Sequence, residues 1–420
     1  MSHPRRVVVV GASLAGLSTA RALRAQGYHG SLTVIGDEIH RPYDRPPLSK
    51  EFLGRSGGAV DLALEADGEE LDVSWRLGVR AVGLRPLSSG GLGRRWDGGA
   101  EVALSDGDSI RGDAVVLATG AAARRGLPGA ELPGVHLLRT LEDAVALRDD
   151  LHEAVRRDRP VVVIGGGFIG SEVAATASGL GCRVTLVVAD DVPLRAALGP
   201  YADALADLHA AHGVTIRPSS RVQAVREAAR EGLEVCLTDG SRIAAATVVL
   251  GIGAAPAVSW LADSGIDLGD GGTGAIRCDE SGATNLPGVY AVGDCAAWLH
   301  PGLGYHQRIE HWTSAKERGP VVAAHLLGAE RLPGGRPPYV WSDLYGSRLQ
   351  LAGHRELADH PDTVEHTLVA GSLAERSFVA VYRRASEPVA VLSLDQPRAF
   401  AAFRRRLVTP VPTAVQGGLG

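Results

Sequence analysis

Val7-Val8-Val9-Val10-Gly11-Ala12-Ser13-Leu14-Ala15-Gly16 opens the chain, and Val161-Val162-Val163-Ile164-Gly165-Gly166-Gly167-Phe168-Ile169-Gly170 repeats its plan further on. In both, a β-branched run leads into closely spaced small residues and then an alanine-rich stretch. That order predicts a buried strand, a tight turn and a helix N-terminus, whose free N–H groups suit a pyrophosphate. One copy alone carries little weight. Two copies predict two dinucleotides, most simply FAD and NAD(P)H, in a chain able to pass a hydride between them.

Outward from the first fingerprint, the pattern predicts a helix over 14–26, a strand over 32–35 and a proline-rich loop over 38–50. Strands follow near 79–84 and 101–104, with Ser105-Asp106-Gly107-Asp108 as a turn. Val115-Val116-Leu117-Ala118-Thr119-Gly120 reads as a buried strand stopping at a glycine. The second half runs the same way: helix over 169–180, strand over 183–188, and a strand pair joined by Thr238-Asp239-Gly240. It closes on Thr247-Val248-Val249-Leu250-Gly251-Ile252-Gly253. Each half is thus a Rossmann-type unit with a small β insertion and a closing strand, which predicts a duplicated α/β architecture. Residues 286–295 read as a further strand-to-helix junction. Pro333-Gly334-Gly335-Arg336-Pro337-Pro338 reads as a linker, and alternating segments at 348–351, 377–382 and 390–394 predict an antiparallel sheet.

The chain has 420 residues, is 45% hydrophobic and carries a net charge of −5, so nothing in it calls for nucleic acid or an anionic membrane surface. Arg5-Arg6 before an apolar run outlines a signal peptide, but Gly11 and Gly16 fall where a dinucleotide turn needs them. No other stretch suits a membrane span, and a cytoplasmic location is expected. Cys182, Cys236, Cys278 and Cys295 are widely spaced, which argues against a metal site or a local redox dithiol.

Gly11, Ala15 and Gly16 would let the backbone approach the FAD pyrophosphate. Ser13 departs from glycine at the middle position, where a small side chain fits and its hydroxyl can donate to phosphate. Asp37 and Glu38 follow the second strand, where an acid accepts from ribose hydroxyls.

The chain resembles the FAD-dependent ferredoxin reductases of oxygenase systems. Besides the fingerprints, the likeness rests on Pro42-Tyr43-Asp44-Arg45-Pro46-Pro47-Leu48-Ser49-Lys50, Ala118-Thr119-Gly120, Ala291-Val292-Gly293-Asp294, Arg308-Ile309-Glu310-His311-Trp312 and Trp341-Ser342-Asp343. It spans nearly the whole chain. It implies a glutathione-reductase-like fold: two Rossmann-like dinucleotide-binding domains and a C-terminal α+β domain. The expected boundaries are 1–112 with 247–325 for FAD, 113–246 for NAD(P)H, 326–412 for the C-terminal domain and 413–420 for a tail.

The resemblance also implies roles, and of the two adjacent acids it places the FAD ribose contact at Asp37. Lys50 would lie near the flavin N5 edge, stabilising reduced flavin, with Glu172 opposite as its partner. Asp294 would bond the ribityl chain, Trp312 would lie beside the isoalloxazine, and Arg139 would lie close to FAD. Leu14, Arg45, Val82, Ala118, Thr119, Gly120, Gly293, Glu310 and His311 complete the expected FAD contacts. For NAD the expected contacts are Gly165, Gly167, Phe168, Ile169, Gly170, Glu172, Val188, Asp190, Arg195, Gly251, Ile252 and Gly253. The acid usual at the end of the second strand of an NADH domain would fall on Val188, so either ribose recognition passes to Asp190 or the affinity is modest. Acids at 190 and 191 and no arginine at 188–191 favour NADH over NADPH, with Arg195 as the counter-argument.

The implied partner is a [2Fe–2S] ferredoxin that feeds an oxygenase, with the reductase a monomer or homodimer. Arg308, Lys316 and Arg318, or the run Arg404-Arg405-Arg406, are candidate docking cations for an acidic partner. No catalytic triad or essential histidine is expected. Alternatives are an NADH oxidase or quinone reductase, a disulfide-type reductase, or a flavoprotein switched by NADH that acts mainly by binding.

Overall fold

The computed structural model describes residues 3–55, 60–87, 98–229, 232–269, 274–300, 304–329, 337–354, 364–384 and 386–407. The expected tail at 413–420 and the linker positions 333–336 lie outside the described residues.

Two five-stranded parallel sheets form the body. In the first, Arg6–Val10 is central, flanked by Ala114–Leu117 with Val289–Ala291 on one side and Ser31–Gly36 with Ser74–Leu77 on the other. In the second, Pro160–Ile164 is central, between Arg183–Val187 with Thr215–Arg217 and Thr247–Leu250 with Val135–His136. Val7, Val8, Val9 and Val10 are all buried, as are Val161, Val162, Val163 and Ile164. A parallel strand covered on both faces requires such unbroken apolar runs rather than alternation. Strand order reverses at each central strand, and a crevice at that reversal is where doubly wound sheets bind ligands.

The duplicated plan extends to the insertions. Ala81–Pro86, Ala100–Leu104 and Ser109–Gly112 form one antiparallel trio, and Val222–Glu227, Leu233–Leu237 and Arg242–Ala245 another. The expected boundaries need correction. Ala114–Leu117 pairs within the first sheet and Thr247–Leu250 within the second. A strand belongs to the ladder that satisfies its backbone, so each crossing falls after its closing strand. The crossings themselves pair, Ala121–Ala123 antiparallel to Ala254–Pro256.

The helix expected after Asp294 is also corrected. Gly293–Cys295 is a single 3-10 turn, with Gly293 in the left-handed region (φ +75°), and the chain runs straight into the strand Ala296–His300. The C-terminal part is a five-stranded antiparallel sheet, with Tyr339–Leu344 at one edge and the helix Pro397–Arg404 against it.

The helix Leu14–Ala25 crosses Trp312–Leu326 closely at Gly319, where a Cβ would lie 2.7 Å from Thr19 N. Pro320 lacks an N–H, so the Lys316 carbonyl one turn earlier loses its helical donor. The Ser18 hydroxyl donates to that carbonyl at 2.5 Å. This crossing anchors the helix that begins at Trp312.

Where the second unit meets the C-terminal sheet, His209 is fully buried and its Nδ1 lies 2.8 Å from the Tyr345 hydroxyl, while His212 stacks on the Tyr345 ring. Burial, aided by His212, pushes His209 down to about 4 from 6.5. The unfolded chain therefore binds the proton more readily. Stability is intact above about pH 6.5 and falls as pH drops towards 4, by about 3 kcal/mol in the limit. Thermal midpoints against pH should show this loss, and His209→Gln should flatten it. An unchanged slope in the variant would refute the assignment.

Candidate functional site

A cleft of about 510 Å³ opens at the end of the first central strand, lined by Gly11, Ser13, Asp37, Glu38, Arg45, Ala118 and Thr119 among others. Gly11 has φ +125°, and a Cβ there would collide with the Ala118 carbonyl. Gly16 faces the Gly11 carbonyl with the same lack of room. Ser13 has extended backbone (φ −116°, ψ −162°), which any residue adopts, so the departure from glycine is free of strain. Its side chain makes no cap bond, and no acid stands in the first turn beginning at Leu14, so this helix start is left to an anion. Ala15 is buried beneath it, 2.9 Å from where a Cβ on Gly293 would stand. Gly120 (φ +69°) lies close to the Arg139 guanidinium. The cradle, its volume and its charge fit the diphosphate of FAD.

The two acids after the second strand differ. Asp37 is exposed and meets Arg80 at 3.1 Å, both lining the cleft. Glu38 spends both oxygens inside the protein: Arg45 Nη2 donates to one at 2.5 Å and Tyr43 Oη to the other at 2.5 Å. Arg45 also donates through Nε to Ser13 Oγ at 3.3 Å and to the Arg139 carbonyl. Arg139 pairs with Asp294 at 3.1 Å. Val82 is corrected. It falls at the register shift of its strand, its side chain is largely exposed, and Val79, Arg80 and Ala81 line the cleft in its place. Trp260, Pro256 and Ala257 line it too. Sequence reading missed them because their loop reaches the cleft only through pairing of the two crossing segments.

Lys50 and Glu172 meet at 2.8 Å. Glu172 is 4% exposed. Its Oε2 also accepts from Ser49 Oγ at 2.5 Å, and its Oε1 from Ser342 Oγ at 2.6 Å. Lys50 Nζ adds the Pro46 carbonyl at 3.0 Å. One buried carboxylate thus ties the proline-rich loop, the second dinucleotide helix and the C-terminal sheet together. Ser49 and Ser342 both stand inside quoted motifs, yet nothing in the motifs alone signals that they share a carboxylate.

Trp312 begins its helix, with His311 at the N-cap, and its Nε1 donates to Asp44 Oδ1 at 2.7 Å. Burial pushes the Asp44 carboxyl up, and the indole bond partly offsets this. Trp341 packs edge-on against Trp312, and Lys316 Nζ lies 5.1 Å from the Trp312 ring. Of the first three expected docking cations, Lys316 is exposed. Arg318 lies over Trp298, where burial lowers it, and Arg308 is paired with Glu310. Arg404 lies over Tyr339 and Arg406 over Phe403.

At the second turn, Gly165 (φ +109°) packs against the Gly251 carbonyl and Gly170 against the Gly165 carbonyl, duplicating the first cradle. Gly253 is left-handed (φ +95°). Gly167 is the N-cap of the helix Phe168–Gly179; Phe168 packs inward and Ile169 is exposed. Ile252 packs against the second unit's core. Val188 lies inside the second unit. It is 1% exposed, and its Cγ1 occupies the space a side chain on Gly166 would need. Asp190 is exposed beyond it. Arg195 is bound at 2.7 Å by both Asp191 and Asp203 and at 2.8 Å by the Gly199 carbonyl, which removes it as a free partner for a 2′-phosphate.

Two Rossmann-type units, each with its glycine cradle, bridged by an ion pair between Lys50 and the buried Glu172, define a two-dinucleotide oxidoreductase. The chain belongs to the pyridine nucleotide-disulphide oxidoreductase family, whose model matches residues 5–319, and a reductase C-terminal domain matches 339–413. It is 34% identical to the benzene 1,2-dioxygenase system ferredoxin–NAD(+) reductase subunit of Pseudomonas putida, over 95% of this chain and 91% of that one. It is 35% identical to rhodocoxin reductase of Rhodococcus erythropolis, over 97% and 90%. Among solved structures it resembles the covalent putidaredoxin reductase–putidaredoxin complex, with TM-score 0.83 and 31% identity over 95% of this chain and 92% of that one.

Proposed function

We propose that this chain is an FAD-dependent NADH:ferredoxin oxidoreductase, serving a [2Fe–2S] ferredoxin that feeds an oxygenase such as a cytochrome P450 or a ring-hydroxylating dioxygenase. The observation that carries the reading is the pair of glycine cradles joined by the Lys50–Glu172 bridge, in a chain whose relatives are named ferredoxin reductases. FAD, when bound, supplies an acceptor for a hydride and a donor of single electrons. The protein's residues bind and orient. The turn at Gly11 to Gly16 and Arg45 hold the diphosphate, Asp37 the ribose, and Asp294 the ribityl hydroxyls. Lys50 faces the flavin edge, where its charge stabilises the reduced form. The turn at Gly165 and the exposed Asp190 hold NADH; the charge of Asp190, with Arg195 taken up by Asp191 and Asp203, disfavours a 2′-phosphate.

In this reading the first sheet is the FAD unit, the second the NADH unit, and the antiparallel sheet the third domain. Disulfide chemistry needs an accessible thiolate. All four cysteines are free and buried, and burial pushes the thiols of Cys278 and Cys295 up and that of Cys182 to about 11. No helix among the described residues is long and apolar enough to cross a membrane.

The test is a visible spectrum followed by anaerobic titration. Flavin bands should bleach at one equivalent of NADH, the KM for NADH should lie below that for NADPH, and cytochrome c reduction should depend on added ferredoxin. A colourless protein that takes up no FAD, or turnover indifferent to ferredoxin, would overturn the reading.

A further inference from the structure

We infer that Glu38 is a positioning residue that acts on FAD through Arg45, so that the adjacent acids Asp37 and Glu38 have separate tasks. The inference rests on the first cleft being the FAD site. An acid at the end of the second strand would ordinarily be assigned to the ribose, and both acids line the cleft. Each Glu38 oxygen, however, already accepts a strong hydrogen bond, from Arg45 and from Tyr43. Tyr43 Oη in turn accepts from the Leu141 amide at 3.0 Å, so the carboxylate is anchored at the start of the helix Leu141–Arg156. The exposed Asp37, whose only partner among the described residues is the exposed Arg80, is the acid left for ribose hydroxyls.

Arg45 is held on four sides. Glu38 takes Nη2, the Arg139 carbonyl takes Nη1, Ser13 Oγ receives Nε, and the Tyr43 ring lies 4.9 Å from the guanidinium carbon. A guanidinium has five donors in a rigid plane. Three are used here, and the two that remain lie on the terminal nitrogens of a group that lines the cleft. Ser13 is the N-cap of the fingerprint helix, so Arg45 sits beside the uncapped N–H groups that form the diphosphate cradle. Without Glu38, an unpaired cation would stand next to a positive helix end, and its side chain would swing to solvent. Glu38 therefore sets the direction of Arg45 before the cofactor arrives, which lowers the ordering cost of binding.

The experiment is a double-mutant cycle on FAD affinity, measured by titrating apoprotein with FAD and following its fluorescence. Glu38→Gln and Arg45→Ala should each raise Kd, Glu38→Gln by about tenfold and Arg45→Ala by more. The double variant should bind FAD no more weakly than Arg45→Ala alone, because Glu38 has nothing left to position. Asp37→Asn should multiply with either. Multiplying effects of Glu38→Gln and Arg45→Ala would show that Glu38 touches the cofactor itself and would overturn the inference. Glu38→Asp, which keeps the charge, should recover part of the affinity. Wild-type apoprotein that fails to bind FAD would instead sink the site assignment beneath it.

Discussion

Gly11→Ala should yield a protein that purifies with less than about a tenth of its flavin and unfolds at a markedly lower temperature. Two independent penalties meet at this position. The backbone lies at φ +125°, which an L side chain rarely adopts, and an added methyl would collide with the Ala118 carbonyl of the neighbouring strand. Because the obstacle is backbone in a buried parallel sheet, relief requires parting Arg6–Val10 from Ala114–Leu117 at the site. Strain of this kind costs about 3 kcal/mol or more. The damage falls at the cradle itself, so cofactor affinity should drop with stability. The ratio of flavin to protein absorbance and a thermal melt check both. Ser13→Gly, at extended backbone, should leave the melt within about 1 kcal/mol of wild type. Wild-type flavin content in Gly11→Ala would show that the diphosphate does not depend on this turn.

Glu172→Ala should be nearly as severe, for an electrostatic reason. Deletion leaves the Lys50 ammonium and the hydroxyls of Ser49 and Ser342 without their shared acceptor at a site 4% exposed. Removing one member of a buried ion pair costs about 3–5 kcal/mol. Anaerobic flavin reduction by NADH should slow at least about tenfold, since Lys50 would lose its fixed position. The double variant Lys50→Met with Glu172→Leu separates the two effects. It replaces the pair by apolar groups and should recover much of the stability but none of the rate. Recovery of the rate as well would mean that the pair only holds the domains together.

Much of the fold was legible because two periodic signals agree. The valine runs are unbroken where both sheet faces are covered, and the spacing of small residues marks the turns that follow them. Repetition of the plan then identified the insertions and closing strands. The misreadings share a cause. Ala114–Leu117 and Thr247–Leu250 look alike from within, and only hydrogen bonds to distant strands say which sheet each one closes. The stretch after Asp294 resembles a helix start, yet it is one turn leading into a strand.

Chain-local chemistry determined the two cradles. Gly16 and Gly170 face carbonyls five residues back, and the positive φ at Gly11 and Gly165 belongs to the local turn, while the carbonyls of Ala118 and Gly251 that also exclude a Cβ at these two come from the end of a neighbouring strand. Tertiary structure alone decided the roles of the charges. It turned Glu38 inward to Arg45, closed Arg195 between Asp191 and Asp203, packed Val188 under Gly166, and brought Ser49, Lys50 and Ser342 to one carboxylate. A charged side chain takes the partner nearest in space, and a buried one must be paired. Glu172 finds its partners in segments more than a hundred residues away, and even Glu38 and Arg45, seven residues apart, meet only through the path of the loop between them, so residue spacing alone does not record the pairing.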